Sequence, residues 1–468
     1  MTHTIHRRLG VWSCVTAATV ATVAAATGPV PTVTNSARAL DPVIRQGFGV
    51  SAYTLQVFTP PPGAELGFDA TFTLAGAVRT IRFVPVEMNA AGCVMSLDTG
   101  AAELIDVPAP DAGIYEGEIT GGGTAIAQML NGRLSALVRI GAQSWNIQPV
   151  SDLIAGADPR VHIVVAGDAI LPGGGTCAEP GHGHGAAPGL VTPTPTASVG
   201  GSVMDGSQIL VCEVACESDY EFSLIHNLNA SAAAQDIAKV MAWAGKYFTE
   251  GANVKFKITR YVIRLNPLTN PYTTSEPGAL LDQFAAHWNL KFTQTQRDLA
   301  HLFTGRELEG TVIGIARISS VCSETMGYAL SQSLYTSLLG KRAALTAHEV
   351  GHNFSAQHCD QAQGLCAPCR IMLAGTGIGI QNLSFGCSGP FIAFYAEQRP
   401  CLEPLETNGG GLCRPDMTFD AQLSLGDFGA FQTAYALGIT VLADFSGDGQ
   451  LTLADFGAFQ SAYAAGCP

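Results

Sequence analysis

The sequence is short of charge. Asp, Glu, Lys and Arg make up 13% of its 468 residues, about half the share in an ordinary soluble chain. Bases are scarcer still, with 24 Lys and Arg against 38 Asp and Glu, a net charge of −14. Such a chain lacks the basic face that phosphate neutralisation demands, which argues against a nucleic-acid partner. Beyond the N-terminus no apolar run approaches the ~20 residues of a membrane span, so no transmembrane segment is expected in the mature chain. Global disorder is excluded by the 47% of apolar residues, enough to build large cores. Cysteine is plentiful by contrast: 13 residues, weighted toward the C-terminal half, point to an oxidising compartment.

The N-terminus explains that compartment. His3, His6, Arg7 and Arg8 precede an uncharged, Ala-, Val- and Thr-rich stretch from Leu9 to Gly28. Small-residue sites stand at Ala24-Ala25-Ala26 and Ala37-Arg38-Ala39. A basic start, an apolar centre and an A-x-A-like site describe a secretory signal peptide over residues 1–39. The expected product is an exported protein whose mature chain starts near Leu40. An uncleaved anchor helix is the alternative, and a run so rich in Ala and Thr would hold a membrane weakly.

Residues 40–170 carry short alternating segments broken by Gly and Pro, among them Ala70–Leu74, Thr80–Val84, Leu134–Ile140 and Val161–Val165. Period-two patterns at this spacing predict a β-rich sandwich or barrel. Residues 171–206 turn to Gly, Pro, Thr and Ser and read as a linker; His182 and His184 are read as part of it rather than as ligands. Residues 207–405 alternate strands with helices: strands at Ile209–Val214, Val254–Leu265 and Gly310–Ile318, helices at Ala232–Glu250, Leu280–Asn289 and Ser333–Phe354. That alternation predicts an α/β domain. After residue 411, DMTFDAQLSLGDFGAFQTAYALG from Asp416 recurs as DFSGDGQLTLADFGAFQSAYAAG from Asp444, a period of 444 − 416 = 28 residues. Two copies of a loop-plus-helix unit predict a small paired helical module over 413–467.

The most informative stretch is His348-Glu349-Val350-Gly351-His352, followed by His358. Positions i and i+4 of a helix share a face, so His348 and His352 can offer both imidazoles to one metal ion. Three protein ligands with a fourth position left open suit a catalytic zinc. His358 can be the third ligand only if the chain turns back after the helix. Glu349 would then stand beside the metal-bound water, placed to take its proton and pass it to the leaving amine.

HEVGHNFSAQH resembles the metzincin zinc motif, and its flanks resemble the reprolysin (adamalysin) branch. The flanks are the segment from His301 to Ser323, the run Cys369-Arg370-Ile371-Met372, and the late cysteines in Ser384–Ser388 and Arg399–Leu402. The resemblance covers roughly residues 208–405 and implies a zinc endopeptidase acting on protein or peptide substrates. By it, His348, His352 and His358 hold Zn2+, Glu349 is the general base, Met372 is the Met-turn residue, and Cys322 pairs with Cys401. Two departures stand out: the family's Gly between the second and third His is Ser355, and Cys359 displaces the Asp that often follows the third His to Asp360.

The stretches Tyr115–Ile119 and Leu134–Val150 more loosely resemble the propeptide of the same branch, which implies a latent precursor. Cys177 then has two readings. Its thiolate can occupy zinc's open position and hold the enzyme silent, or it can form a disulfide with Cys93, the one other mature cysteine before residue 200. Twelve mature cysteines, an even number, require no free thiol. Cys212 and Cys216, four apart on an expected strand, are too far separated to bond one another without a bend.

The 28-residue repeat matches calcium-loop spacing, with oxygen ligands at positions 1, 3, 5, 7, 9 and 12 and Gly at 6. The second copy offers Asp444, Ser446, Asp448, Gln450 through its carbonyl, Thr452 and Asp455 to Ca2+. The first offers Asp416, Thr418, Asp420, Gln422, Ser424 and Asp427, and is the weaker site because Ala421 stands where Gly449 serves the second. A helix after each loop, without an evident one before it, resembles a dockerin. That resemblance implies a cohesin-like partner on a cell surface or in a complex. Cys413 and Cys467 bracket the module and could clasp its ends. The sequence therefore reads as a secreted multidomain zinc endopeptidase with a β-rich propeptide, an α/β metzincin domain and a dockerin-like module. The alternative is a zincin-shaped protein that binds without cutting, anchored through that module.

Overall fold

A computed structural model describes residues 35–178, 209–359, 370–374, 384–405, 415–418, 423–436, 438, 440–446 and 450–466. Most of the expected signal segment and linker, together with Cys366, Cys369, Cys413, Cys467, Asp360, Asp420, Gln422 and Asp448, lie outside the described residues. From Leu40 onward the described residues fall into one compact unit. No described helix is long and apolar enough to cross a membrane.

The N-terminal part begins with helix α1 (Asn35–Phe48), whose Ile44 and Phe48 enter the core. Strands follow: β1 (Thr54–Val57), β2 (Phe68–Leu74), β3 (Ala77–Pro85), β4 (Asn89–Asp98), β5 (Ile105–Pro108), β6 (Ile114–Ile119), β7 (Thr124–Leu130), β8 (Arg133–Ile140), β9 (Gln143–Pro149), β10 (Val161–Ala166) and β11 (Thr176–Cys177). Eight of these form an antiparallel sheet in the order β1-β10-β9-β8-β7-β6-β3-β2. The alternation that marked β2 is literal: Phe68, Ala70, Phe72 and Leu74 are buried and the residues between them exposed, as the two-residue side-chain period requires. Linker-like composition at 171–206 did not prevent Thr176 and Cys177 from forming a strand. Their backbone is held by a neighbouring sheet edge, which composition does not report.

The following part contains β12 (Leu210–Ser218), α2 (Tyr220–Ile225), α3 (Ala230–Ala252), β13 (Val254–Arg264), α4 (Pro277–Lys291), β14 (Leu299–Phe303), β15 (Val312–Ala316), β16 (Tyr328–Ser331), α5 (Leu339–Asn353), α6 (Gly389–Glu397) and β17 (Glu403–Pro404). Its sheet runs β11-β15-β16-β14-β12-β13-β4-β5, with β17 against the start of β12. Strands from before, within and after the 171–206 segment thus build one sheet: β4 lies parallel to β13 and β11 parallel to β15. One core spans both parts, joining Met95, Ile126 and Leu137 to Trp243, Tyr247 and Phe248.

Helix α5 starts six residues later than the Ser333–Phe354 pattern suggests, and among the described residues the longest helix is α3, at 23 residues. Leu338 at the N-cap of α5 supplies no capping side chain, so the apolar pattern alone overran the boundary. The C-terminal part holds α7 (Leu425–Ala436), α8 (Thr440–Ala443) and α9 (Leu453–Ala465). Phe431 and Phe459, 28 positions apart, stack on each other at 4.3 Å between ring centres, so the two repeat copies share one small core.

Candidate metal centre

Helix α5 is buried along its whole length, and its last two turns present His348 and His352 on one face. The helix stops in a Schellman pattern: Ser355 N–H donates to His352 O at 2.9 Å and Ala356 N–H to Gly351 O at 3.0 Å. That closure needs a left-handed residue after the last helical turn, and Ser355 takes it at φ 69°. The chain therefore reverses and brings His358 back over the helix, the turn that its role as third ligand required.

The three imidazoles converge. Their Nε2 atoms lie 3.1 Å apart between His348 and His352, and 3.2 Å from each of these to His358. Nitrogens at about 2.0–2.1 Å from a tetrahedral zinc stand about 3.3–3.4 Å apart, so the triad fits that ion closely. The outer nitrogens are committed elsewhere: His348 Nδ1 donates to Ile371 O at 2.6 Å and His352 Nδ1 to Ala356 O at 2.7 Å. Protons fixed at Nδ1 leave both Nε2 lone pairs facing inward, the orientation that metal-bound histidines need.

Cys177 completes the group. Its Sγ is 3.5 Å from His352 Nε2 and 3.3 Å from Glu349 Oε2, and the four ligand atoms lie within 4.8 Å of one another. A tetrahedral zinc with sulfur at about 2.3 Å separates S and N by about 3.5 Å. The thiol is delivered by β11, where Thr176 N–H donates to Thr311 O at 2.7 Å and Ala178 N–H to Gly314 O at 3.1 Å. Cys93 and Cys177 are both free thiols, as are Cys212 and Cys216. The disulfide reading of Cys177 therefore fails, and the even cysteine count was no guide. Cys93 sits on β4 at the opposite end of the sheet from β11. Cys322 does pair with Cys401, with Cα atoms 5.8 Å apart, and Cys359 and Cys387 are also disulfide-bonded.

Burial pushes the Glu349 carboxyl well above its ordinary range, partly offset by the bond from the Cys177 thiol. Burial also raises the Cys177 thiol, and the Glu349 charge raises it further. Both directions belong to the side chains alone, because a bound cation inverts this local balance. Glu349 Oε1 has no hydrogen-bond partner among the described residues.

Met372 is fully buried. It lies so close beneath Gly351 that a Cβ there would stand 2.6 Å from its Sδ. Its carbonyl accepts from Cys359 N–H at 2.9 Å, while the preceding carbonyl holds His348. This turn therefore braces the first and third histidines together. Sequence reasoning missed that bracing, and it missed Gly314 on β15, where a Cβ would meet Glu349 Oε1 at 2.3 Å.

The calcium-loop residues divide. Asp427 Oδ1 accepts Thr418 N–H at 2.9 Å and its Oδ2 accepts Ser424 N–H at 2.7 Å. Asp455 repeats this with Ser446 N–H at 2.9 Å and Thr452 N–H at 2.7 Å. Both aspartates are fully buried and Asp416 nearly so. Asp444 and Gln450 are among the described residues, whereas Asp420, Gln422 and Asp448 are not. Among the described residues, no three His, Cys, Asp or Glu side chains of this module converge as the zinc ligands do.

Comparison with known proteins agrees with the centre. Residues 234–359 match the family described as Reprolysin_3, Metallo-peptidase family M12B Reprolysin-like. The chain is 30% identical over 152 residues to Disintegrin and metalloproteinase domain-containing protein 19 of Mus musculus, covering 32% of this chain and 15% of that protein. It is 30% identical over 143 residues to Zinc metalloproteinase-disintegrin-like brevilysin H2a of Gloydius brevicauda, covering 28% of this chain and 33% of that protein. It spans no more than a third of either relative. The region from α3 to Cys359 is thus similar to a reprolysin-like M12B metallopeptidase segment, with disintegrin–metalloproteinases and venom metalloproteinases among its relatives.

Proposed function

We propose that this chain is a secreted zinc-dependent endopeptidase made as a latent precursor. The observation that carries the reading is the convergence of three Nε2 atoms, the Glu349 carboxylate and the Cys177 thiol on one buried point. His348, His352 and His358 would hold the ion, and Met372 would support them from below. Zinc, when bound, supplies the acidity of its water and polarises the scissile carbonyl. Glu349 takes the proton from the attacking water and delivers it to the leaving amine. β15 offers its edge to an extended peptide, whose main chain can pair with it as β11 does.

Latency follows from the same geometry. Cys177 stands where the attacking water must stand, and β11 covers the edge where a peptide must lie. Were the thiol to give up its proton on becoming a ligand, Glu349 Oε2 at 3.3 Å would be the carboxylate placed to take it. A Glu349→Gln protein freed of β11 should keep about one zinc per chain and lose casein hydrolysis. Unchanged turnover in that variant would remove Glu349 from the mechanism. The rival reading, a zincin-shaped protein that binds without cutting, gains nothing from an intact and buried Glu349.

For residues 413–467 we propose a dockerin-like module that binds Ca2+ and docks on a cohesin-like partner. Support comes from the 28-residue repeat, the shared Phe431–Phe459 stack and the matching engagement of Asp427 and Asp455. The signal peptide over 1–39 and an extracellular, cell-surface-associated location complete the reading.

A further inference from the structure

We infer that residues 40–170 are a permanent subunit of the protease rather than a removable propeptide, and that only the strap carrying Cys177 has to leave. This rests on the latency reading above.

Two attachments of very different strength join the N-terminal part to the rest. The strap is weak. It is a two-residue strand after Pro172-Gly173-Gly174-Gly175, held by the Thr176 and Ala178 N–H bonds, an exposed hydroxyl pair between Thr176 and Thr311 at 3.0 Å, and one thiol. Its root is fixed to the β-rich part, where Leu171 N–H donates to Gly49 O at 2.9 Å and Ile170 bridges Val50.

The second attachment is structural. β4 pairs with β13 from Val94↔Arg260 to Asp98↔Arg264, so its departure would strip a five-residue edge of its partners. At the end of that register Arg264, almost fully buried, donates to Glu217 Oε1 at 2.6 Å on β12 and to Asp98 Oδ2 at 3.2 Å on β4. Withdrawing one member of a buried ion network leaves the others uncompensated, which is strongly destabilising. The metal-bearing helix depends on the same part. Leu338 gives α5 no side-chain cap, and the first helical N–H, that of Leu339, donates instead to Gln148 Oε1 on β9 at 2.8 Å. Gln148 Nε2 also donates to Ser337 O at 3.2 Å. The helix holding His348 and His352 is thus capped by a residue 191 positions upstream.

Contacts inside one chain that resemble transient interfaces let domains move, whereas a large apolar one does not. Here Met95, Ile126 and Leu137 lie in one continuous core with Trp243 and Phe248. The strap can therefore swing out about its glycines while β4, β5 and Gln148 stay in place. The active form has two chains, with the cleft open and α5 still capped.

The test places a recognition sequence for a site-specific protease in the Thr192–Thr196 stretch of the full chain. The purified cut protein is followed by size exclusion and native mass spectrometry at roughly 100 nM, where a micromolar interface comes apart. The expected result is co-elution of both fragments at the uncut mass, with separation only in denaturant. Thr176→Pro removes a strap N–H and should leave co-elution unchanged, whereas Asp98→Ala should release fragment. A β-rich fragment that elutes alone without denaturant overturns the inference, as does release caused by Thr176→Pro. The readout is mass, so absence of peptide hydrolysis would defeat the endopeptidase reading and leave this one standing.

Discussion

Gly314 and Glu349 occupy one space: a Cβ on Gly314 of β15 would lie 2.3 Å from Glu349 Oε1. The strand that offers its edge to a peptide thereby also sets where the carboxylate can stand. Gly314→Ala should displace Glu349 by roughly the 1 Å that costs about 100-fold in turnover. Zinc content should stay near one per chain, because the atoms nearest a Cβ at Gly314 all belong to Glu349 and none to the three histidines. Measuring kcat/KM on a casein-derived peptide alongside metal content checks this; unaltered kcat/KM would mean that the carboxylate does not use that position.

Cys177→Ala should give an uncut chain that already hydrolyses peptide, because the fourth position is then open to water. β11 still covers part of the edge, so the uncut variant should remain slower than the cut protein. An uncut Cys177→Ala chain as silent as the unaltered precursor would show that latency comes from the strand pairing alone.

Ser355 holds φ 69°, a conformation that costs an L-residue roughly 1–2 kcal/mol. Its hydroxyl accepts from Ser319 Oγ at 2.9 Å in an exposed bond, which recovers little of that. Ser355→Gly should raise stability by roughly 0.5–1 kcal/mol after the extra chain entropy of Gly is counted. Thermal unfolding of both proteins with zinc in excess reads the difference, and a lower midpoint in the glycine variant would contradict the strain argument.

Legibility in the sequence followed chain distance. The H-E-x-x-H pair and its Glu lie within one helix, where spacing alone fixes the face. His358 required a turn, and the residue that makes it, Ser355, was visible as a departure from the family glycine. Gly314, Gln148 and the Ile371 carbonyl were invisible, since each acts on α5 from a different element. Alternation in β2 announced a strand but not its neighbour, and β4, which does not alternate, was not foreseen at all: period two specifies faces, and pairing is settled by which edge is free. The β-rich region and the α/β region were separable as compositions, yet β4, β5 and β11 complete the α/β sheet.

Glu250 links the two parts electrostatically. Burial alone would raise its carboxyl, but Lys246 and Arg139 outweigh it and hold it down to about 2. Arg139 and Thr124, which donates to Glu250 at 2.6 Å, both belong to the β-rich sheet. A depressed carboxyl stabilises the fold fully above its unfolded value, near 4.5, and loses that contribution as pH falls toward 2. Urea midpoints for the unaltered chain and Glu250→Gln should therefore differ at pH 6, with the gap narrowing below about pH 4.5 and closing only as pH falls through about 2. A constant gap across that range would place the effect in packing instead.

The repeat gives the last prediction. Asp427 and Asp455 each use one carboxylate oxygen on the N–H of loop position 3 and the other on that of position 9. The carboxylate that should close a calcium loop is thereby oriented before an ion arrives, and in the first copy the Thr418 hydroxyl also donates to Asp427 Oδ1 at 2.9 Å. Burial opposes ionisation of Asp455, but the N–H bonds from Thr452 and Ser446 prevail and hold its carboxyl below the ordinary range. It therefore stays charged in mild acid. Calorimetry of the whole chain should show two calcium sites, the tighter in the copy where Gly449 permits the sharp turn. Asp455→Asn should remove the tighter site and Asp427→Asn the weaker one, because each loses the charge that closes its own loop. No calcium heat from the unaltered chain would reduce the module to a helical pair held by its phenylalanine core. Loss of both sites in either variant would instead mean that the stacked Phe431 and Phe459 couple the loops into one folding unit.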